Sequence, residues 1–256
     1  MITIKSAREI ELMARAGRIV AEVLALVRAR VEPGVSTWQL DELAEEFIRS
    51  HEGATPSFKG LYGFPATLCT SINAEVVHGI PSKKRVLAAG DIVSVDVGVC
   101  VGGMHADSAI TATVGEISPD AQRLLDATRR ALSAGIAAAR AGGHVGDIGS
   151  AVQQVADAEG FGVVRELVGH GIGAQFHEEP QVPNYGPPHR GPRLMTGMTI
   201  AIEPMINLGR PEVRTLADKW TVVTADGSLS AHFEHTVHVT EDGAQILTVA
   251  SPAAVA

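Results

Sequence analysis

Asp91-Ile92-Val93-Ser94-Val95-Asp96-Val97-Gly98-Val99-Cys100-Val101, then Gly102-Gly103, then Met104-His105-Ala106-Asp107-Ser108-Ala109-Ile110-Thr111-Ala112-Thr113-Val114 is the stretch on which the fold turns. Its period is two: Val93, Val95, Val97 and Val99 share one face of a strand, and Ser94, Asp96 and Gly98 share the other. Gly102-Gly103 signals a tight turn, so residues 104–114 read as the returning strand of an antiparallel hairpin. Asp96 and Asp107 each interrupt a run that otherwise favours strand, where Asp is disfavoured. A turn near Gly102 sets the two almost opposite one another. Carboxylates so placed repel, and one must take up a proton unless a cation lies between them. A single Asp in a strand is usually a solvated edge residue; two facing each other from an apolar hairpin fit that reading less well.

Working outward, Ser6 and Glu9 have the spacing of a capping box. Behind them Ile10, Met13, Ala14, Ile19, Val20, Val23, Leu24 and Val27 recur at helical spacing. Glu32-Pro33-Gly34-Val35 breaks that helix, and Thr37 is expected to cap a second, with Leu40, Leu43, Ala44 and Phe47 inward. The order repeats downstream: residues 119–140 read as helix, Gly142-Gly143 as a breaker, and Asp147 as the cap of a helix running to about Glu159. Strand-like stretches follow at 198–206, 220–224 and 230–239. Ala29-Arg30…Pro33…Val35…Thr37 aligns with Ala139-Arg140…Gly143…Val145…Asp147, 110 positions on. The identity is weak, but the order of elements agrees. The expectation is an α+β fold of two related halves, about 5–115 and 118–245, packed as one domain over 1–256.

Composition bounds the function. A chain of 256 residues, 45% hydrophobic and 20% charged, is an ordinary globular sequence long enough to bury a sizeable core. The net charge of −8 gives no reason to expect nucleic acid or an acidic membrane as partner. Cys69 and Cys100 make no disulfide framework. The opening MITIKSAREIELM is charged and amphipathic rather than secretory, and no run approaches ~18 consecutive apolar residues. A cytoplasmic protein is expected.

Two more acids sit in apolar strand-like runs: Glu203 after Thr199-Ile-Ala-Ile, and Glu234 within Ala231-His-Phe-Glu-His. Either alone could be a paired structural carboxylate. Four together in one core are most cheaply kept ionised by divalent metal. His170, in Gly169-His-Gly-Ile-Gly-Ala-Gln-Phe-His, adds a nitrogen donor flanked by glycines, with His177 seven residues later. Four carboxylates and one imidazole suit two ions sharing bridging carboxylates, and such oxygen-rich ligation favours Co, Mn or Fe over a structural zinc.

The order Asp-Asp-His-Glu-Glu resembles that of the pita-bread metallopeptidases. The segments Ser71-Ile-Asn-Ala-Glu-Val-Val-His-Gly-Ile-Pro81, Asp91 to Gly98, Gly169 to Pro183, Gly197-Met-Thr-Ile-Ala-Ile-Glu-Pro-Met205 and Ser228-Leu-Ser-Ala-His-Phe-Glu-His-Thr236 are similar to those of the type I methionine aminopeptidases. The resemblance spans nearly the whole chain. It implies a pita-bread fold, with two pseudo-symmetric halves, antiparallel sheet inside and helices outside, and removal of initiator methionine from nascent chains when the second residue is small. Asp96 would then chelate one ion, His170 and Glu203 the other, and Asp107 and Glu234 would bridge both. Water activated by the ions would attack the scissile carbonyl, with Glu203 handling its proton. His177 would stabilise the tetrahedral intermediate and His78 would lie near the scissile amide. Phe64, Cys69, Phe176 and Trp220 would wall the methionine slot, with Met205 nearby; Cys69 is then a wall residue and not a nucleophile. A monovalent cation would map to Asn73, Glu75 and Ser230. The implied partners are nascent N-termini, at the ribosome, with the enzyme a monomer.

Three positions depart from the family pattern. Phe58 and Leu61 stand where some members carry Cys and Tyr, and His232 where Gln is expected. Two rivals remain open at this point: a proline-directed peptidase of the same fold, and a pita-bread binding module without catalysis.

Overall fold

The computed structural model describes residues 1–250, so the last part of the expected 1–256 domain lies outside the described residues. Helix α1 (Ala7–Arg28) starts at the expected cap: Glu9 N–H donates to Ser6 Oγ, and the Glu9 carboxylate takes the Ser6 N–H. Helix α2 (Thr37–Ser50) corrects the sequence reading by one residue. Its cap is Ser36, which exchanges hydrogen bonds with Gln39, while Thr37 is the first helical residue. The reason is spacing: a capping box needs its Gln or Glu three positions on, and Gln39 stands three from Ser36. Helix α3 (Pro119–Ala138) stops two residues short of the expected Arg140. In α4 (Val145–Glu159) Asp147 lies inside the first turn and reaches back to the His144 N–H at 2.7 Å.

The hairpin forms from strands Ile92–Val101 and Met104–Thr113. Its register pairs Gly98 with Asp107 and Asp96 with Ala109. The two aspartates are therefore diagonal neighbours on one face, two residues apart in register, and not directly opposite. A glycine, lacking a side chain, stands across from Asp107 and lets Phe176, Ser57 and Phe58 pack close over it. Val93, Val95, Val97 and Val99 on the other face pack with Val20, Val23, Leu24 and Leu40 of α1 and α2 in one apolar cluster. Burying each such side chain is worth roughly 1.5–3 kcal/mol.

Two sequence-predicted strands are interrupted, and both breaks fall on acids. Residues 198–206 divide into Thr199–Ile202 and Met205–Asn207, leaving Glu203-Pro204 between them; residues 230–239 divide into Ser230–His232 and His235–Thr240, leaving Phe233-Glu234. The halves enter different sheets: Ile202 pairs with His235, and Met205 with His232. Pro204 has no N–H to give a ladder, and the break turns both glutamates inward. Residues 220–224 shorten to Val222–Thr224.

A five-stranded antiparallel sheet runs Gly243–Ile246, His235–Thr240, Thr199–Ile202, Gly169–Gly171, Glu178–Val182. Its Ile200, Ile202 and Val237 pack with Leu124, Leu125, Ile148 and Val152 of α3 and α4. A pair of helices followed by antiparallel strands thus occurs twice along the chain. The hairpin is tied to the downstream strands by bonds that bypass the turns: Glu234 N–H donates to Ala109 O at 2.9 Å, and His232 N–H to Thr111 Oγ1 at 2.9 Å. Among the described residues no helix is long and apolar enough to cross a membrane.

Candidate active site

One cavity is lined by the eleven residues expected to ligate metal, act in catalysis or wall the methionine slot: His78, Asp96, Asp107, His170, His177, Glu203 and Glu234, together with Phe64, Cys69, Phe176 and Trp220. Seven reach it from the two arms of the hairpin, from Gly169–Gly171 and the turn after it, and from the two strand breaks. Phe64 follows the short turn Leu61–Gly63, Cys69 lies on the strand Leu68–Ile72, His78 just after the strand Glu75–Val77, and Trp220 just before Val222–Thr224. The cavity has two characters. One wall is acid and imidazole, the other aromatic.

On the polar wall, ligand atoms of Asp107, His170 and Glu234 lie within 4.8 Å of one another, and His170 Nε2 is 3.6 Å from Glu203 Oε1. Burial raises Asp96, Glu203 and Glu234 well above the usual carboxylate range, and the neighbouring acid charges push in the same direction. Burial also lifts Asp107 to about 7. Asp96 Oδ1, Asp107 Oδ1 and Glu234 Oε1 are buried without any hydrogen-bond partner among the described residues. Four acids crowded together with orphaned oxygens are costly to bury unless cations draw on them. His170 is arranged to help. Its Nδ1–H donates to Gly171 O at 2.8 Å, which leaves the Nε2 lone pair free, as a metal-binding histidine requires. Burial holds its pKa near 4, so the ring is neutral. A set of carboxylate oxygens with one imidazole fits divalent metal. Cys69 does not join it: burial, then the charge of Asp96, raises its thiol pKa.

The remaining histidines divide by position. His78 has a left-handed backbone, φ +60°, a strained conformation for a side-chain-bearing residue that often marks functional sites. Burial, then the nearby His177, lowers its pKa to about 4, and burial lowers that of His177 as well. His177 packs 4.4 Å from His170, centroid to centroid, and stacks on Tyr62 at 5.8 Å. His232, the departure from Gln, is 1% exposed, and burial followed by His78 brings its pKa to about 3.

On the apolar wall Phe64 meets Trp220 edge-on at 5.1 Å, and Phe58 meets Phe176 edge-on at 5.3 Å. Phe58 and Leu61 line the cavity, so both departures shape it directly, and Met205 lines it too. Tyr62, Val77, Leu167 and Val168 also line it and were missed. Tyr62 is 74% exposed with φ +51°, and no periodicity or motif distinguishes it in sequence. Leu167 and Val168 directly precede Gly169, a position that was available as a signal. Of the expected monovalent-cation residues, Asn73 and Ser230 meet through Ser230 N–H to Asn73 O at 2.9 Å, while the Glu75 carboxylate is held by Arg85 at 2.8 Å.

Residues 11–241 match Metallopeptidase family M24. The chain is similar to a methionine aminopeptidase of Clostridium perfringens, 53% identical over 97% of this chain and 99% of that one. It is also similar to a crystal structure of methionine aminopeptidase from Thermotoga maritima, with TM-score 0.96 and 45% identity over 97% of this chain and 100% of that one. A prolidase from Pyrococcus furiosus shares the fold at TM-score 0.77, with 22% identity over 97% of this chain and 66% of that one.

Proposed function

From membership of metallopeptidase family M24, to which the chain belongs, we propose how its residues divide the work of a metal-dependent aminopeptidase that removes N-terminal methionine. The fold is the family's α+β pita-bread fold, and the enzyme acts on the N-termini of nascent polypeptides. The observation that carries the reading is the two-faced cavity: four buried acids and an imidazole opposite an aromatic slot.

In this proposal Asp96, Asp107, His170, Glu203 and Glu234 would hold two divalent ions, of Co, Mn or Fe, with Asp107 and Glu234 serving both, Asp96 one, and His170 with Glu203 the other. Bound divalent metal supplies charge that polarises the scissile carbonyl and acidifies water. The chain's own groups do the rest. Phe58, Phe64, Phe176 and Trp220 receive the methionine side chain, whose thioether asks for little polar contact. Glu203 takes a proton from the attacking water and hands it to the leaving amine. His177 stabilises the oxyanion of the tetrahedral intermediate, and His78 lies at the scissile amide. The buried wall excludes bulk water and strengthens each of these contacts.

The proposal extends to a small residue after methionine, to a monovalent cation held by the carbonyls of Asn73, Glu75 and Ser230, and to a cytoplasmic monomer acting at the ribosome. Residues 5–115 and 118–245 are read as the two halves of a single catalytic domain. A proline-directed substrate is disfavoured by the contrast between 53% identity to a methionine aminopeptidase and 22% to a prolidase.

The test is a peptide panel on chelator-stripped protein reloaded with Mn or Co. Met-Ala-Ser should be cleaved, Met-Leu-Ser far more slowly, and Ala-Pro-Ala left intact. Turnover of Ala-Pro-Ala alone, or no hydrolysis with either metal, overturns the reading.

A further inference from the structure

Among the described residues His232 has no hydrogen-bond partner at either ring nitrogen, although both are buried. A buried polar group left so is expensive, by ~1–3 kcal/mol, and native proteins rarely tolerate it without a use. Only one of the two nitrogens has acceptors in view. Nε2 lies 3.9 Å from Glu203 Oε2 and 3.9 Å from Glu234 Oε2. Both carboxylates line the cavity, but His232 does not, so it approaches them from the protein side. That placement separates it from His170, which lines the cavity and has its Nδ1–H on a backbone carbonyl, leaving Nε2 free as a ligand. The Nδ1 of His232 has no such carbonyl.

The backbone of His232 is fixed from two directions. It pairs with Met205, two residues beyond Glu203, and it lies two residues before Glu234. Its N–H donates to Thr111 Oγ1 and its C=O accepts from the same hydroxyl, both at 2.9 Å. Thr111 lies on the strand that carries Asp107. The backbone that carries the imidazole is thus fixed at the point where the two interrupted strands part.

We propose that His232 is a positioning residue whose Nε2–H is shared between the rear oxygens of Glu203 and Glu234 and sets which of their oxygens turn to the metal ions. A neutral imidazole has one N–H to give, and Nε2 is where acceptors are. The last torsion of a glutamate is soft, so a small rotation of either carboxylate closes the 3.9 Å gap. Without that donor each carboxylate is free to turn, and ion affinity falls. The inference rests on the two-ion reading above, since Glu203 and Glu234 need orienting only if they are ligands.

The experiment is titration of chelator-stripped protein with Mn(II), followed by calorimetry and by the electron paramagnetic resonance of free ion. Wild type is compared with His232→Leu, which keeps bulk and removes the donor, and His232→Gln, which restores an N–H donor. Loss of a group that orients a ligand typically costs 10–100-fold in metal affinity. The Leu variant should show that loss, and the Gln variant should bind as wild type does. Leu binding as tightly as wild type, or Gln binding as weakly as Leu, overturns the proposal. Should the Leu variant fail to fold, nitrogen NMR of the wild-type histidines decides instead. A protonated Nε2 on His232 in the Mg(II)-loaded protein supports the proposal, and a metal-bound or bare Nε2 overturns it. Wild type that binds no divalent ion at all would sink the two-ion reading itself, a result distinct from unchanged affinity in the Leu variant.

Discussion

The hydroxyl of Thr236 grips the backbone of Asp107 on both sides, accepting from its N–H at 2.9 Å and donating to its C=O at 2.8 Å. Thr236 is two residues past Glu234, so one side chain fixes the relative position of the two acids proposed to bridge the ions. Ser108 reinforces the link by donating to the carbonyl of Glu234. The strand that carries Asp107 and the strand that follows Glu234 therefore move together or not at all.

Thr236→Val keeps the shape but removes both bonds, leaving a buried N–H and C=O of Asp107 unsatisfied. The cost should be about 1–3 kcal/mol, which for a domain of this size lowers the melting temperature by roughly 2–4 °C per kcal/mol. Metal affinity should fall as well. Calorimetric melting with and without Mn(II) checks both; an unchanged melting temperature would show that the hydroxyl bonds matter little.

Metal-free protein should lose stability as the pH rises from about 6.5 through neutrality. Asp107 has a folded pKa of about 7 against an ordinary 3.8, so between these values the folded chain holds a proton that the unfolded chain has released. Stability then falls with rising pH through that window. Asp96, Glu203 and Glu234, also raised, act in the same sense. The buried histidines oppose them at lower pH. His78 and His170 sit near 4 and His232 near 3, below the ordinary 6.5, so they add stability as the pH climbs to about 6.5 and nothing further beyond it. Above 6.5 the carboxyl effect stands alone. Melting temperatures of chelator-treated protein should drop from pH 6.5 to 8, and Mn(II) should abolish the drop. A flat or rising metal-free profile contradicts this account.

Much of this site was legible because carboxylates are conspicuous in strands. Asp96 stood out against alternating valines, Asp107 against the returning strand of the hairpin, and Glu203 and Glu234 against apolar runs. The diagonal register of the aspartates was not legible, because it depends on which residues close the turn, and Gly102-Gly103 permits more than one pairing. The strand breaks at Glu203-Pro204 and Phe233-Glu234 were hidden by hydrophobic runs that continue across them, although Pro204 was a usable warning. The Ser36 cap could have been read from Gln39. Tyr62 could not: its stacking on His177 is a tertiary contact with no local signature.

His177 packs between Tyr62 and His170, close to the acids without being bonded to any. If it stabilises the oxyanion, His177→Ala should lose about 10²–10³-fold in kcat, the usual cost of one such donor. Mn(II) affinity should stay at the wild-type value, since the ring is not counted among the ligands. Steady-state kinetics on Met-Ala-Ser, paired with metal titration, separates the two. A variant that turns over at the parent rate removes His177 from the mechanism; one that loses metal makes it a ligand.

Gly98 offers a sharper probe of the slot than any aromatic, because it stands across the hairpin from Asp107 without being a ligand. A Cβ there would lie 2.7 Å from Phe176 Cε2, 2.9 Å from Ser57 Cβ and 3.0 Å from Phe58 Cε1. Both rings must then shift into the cavity that they line. Overpacking of this kind costs ~1–3 kcal/mol, and here much of it should appear as lost room for the methionine side chain. Gly98→Ala is therefore expected to raise KM for Met-Ala-Ser by about 10-fold or more while a smaller N-terminal residue such as norvaline suffers less. Metal binding should be spared, since the rings bear the displacement. Equal KM changes for both peptides would mean that Phe58 and Phe176 do not bound the slot.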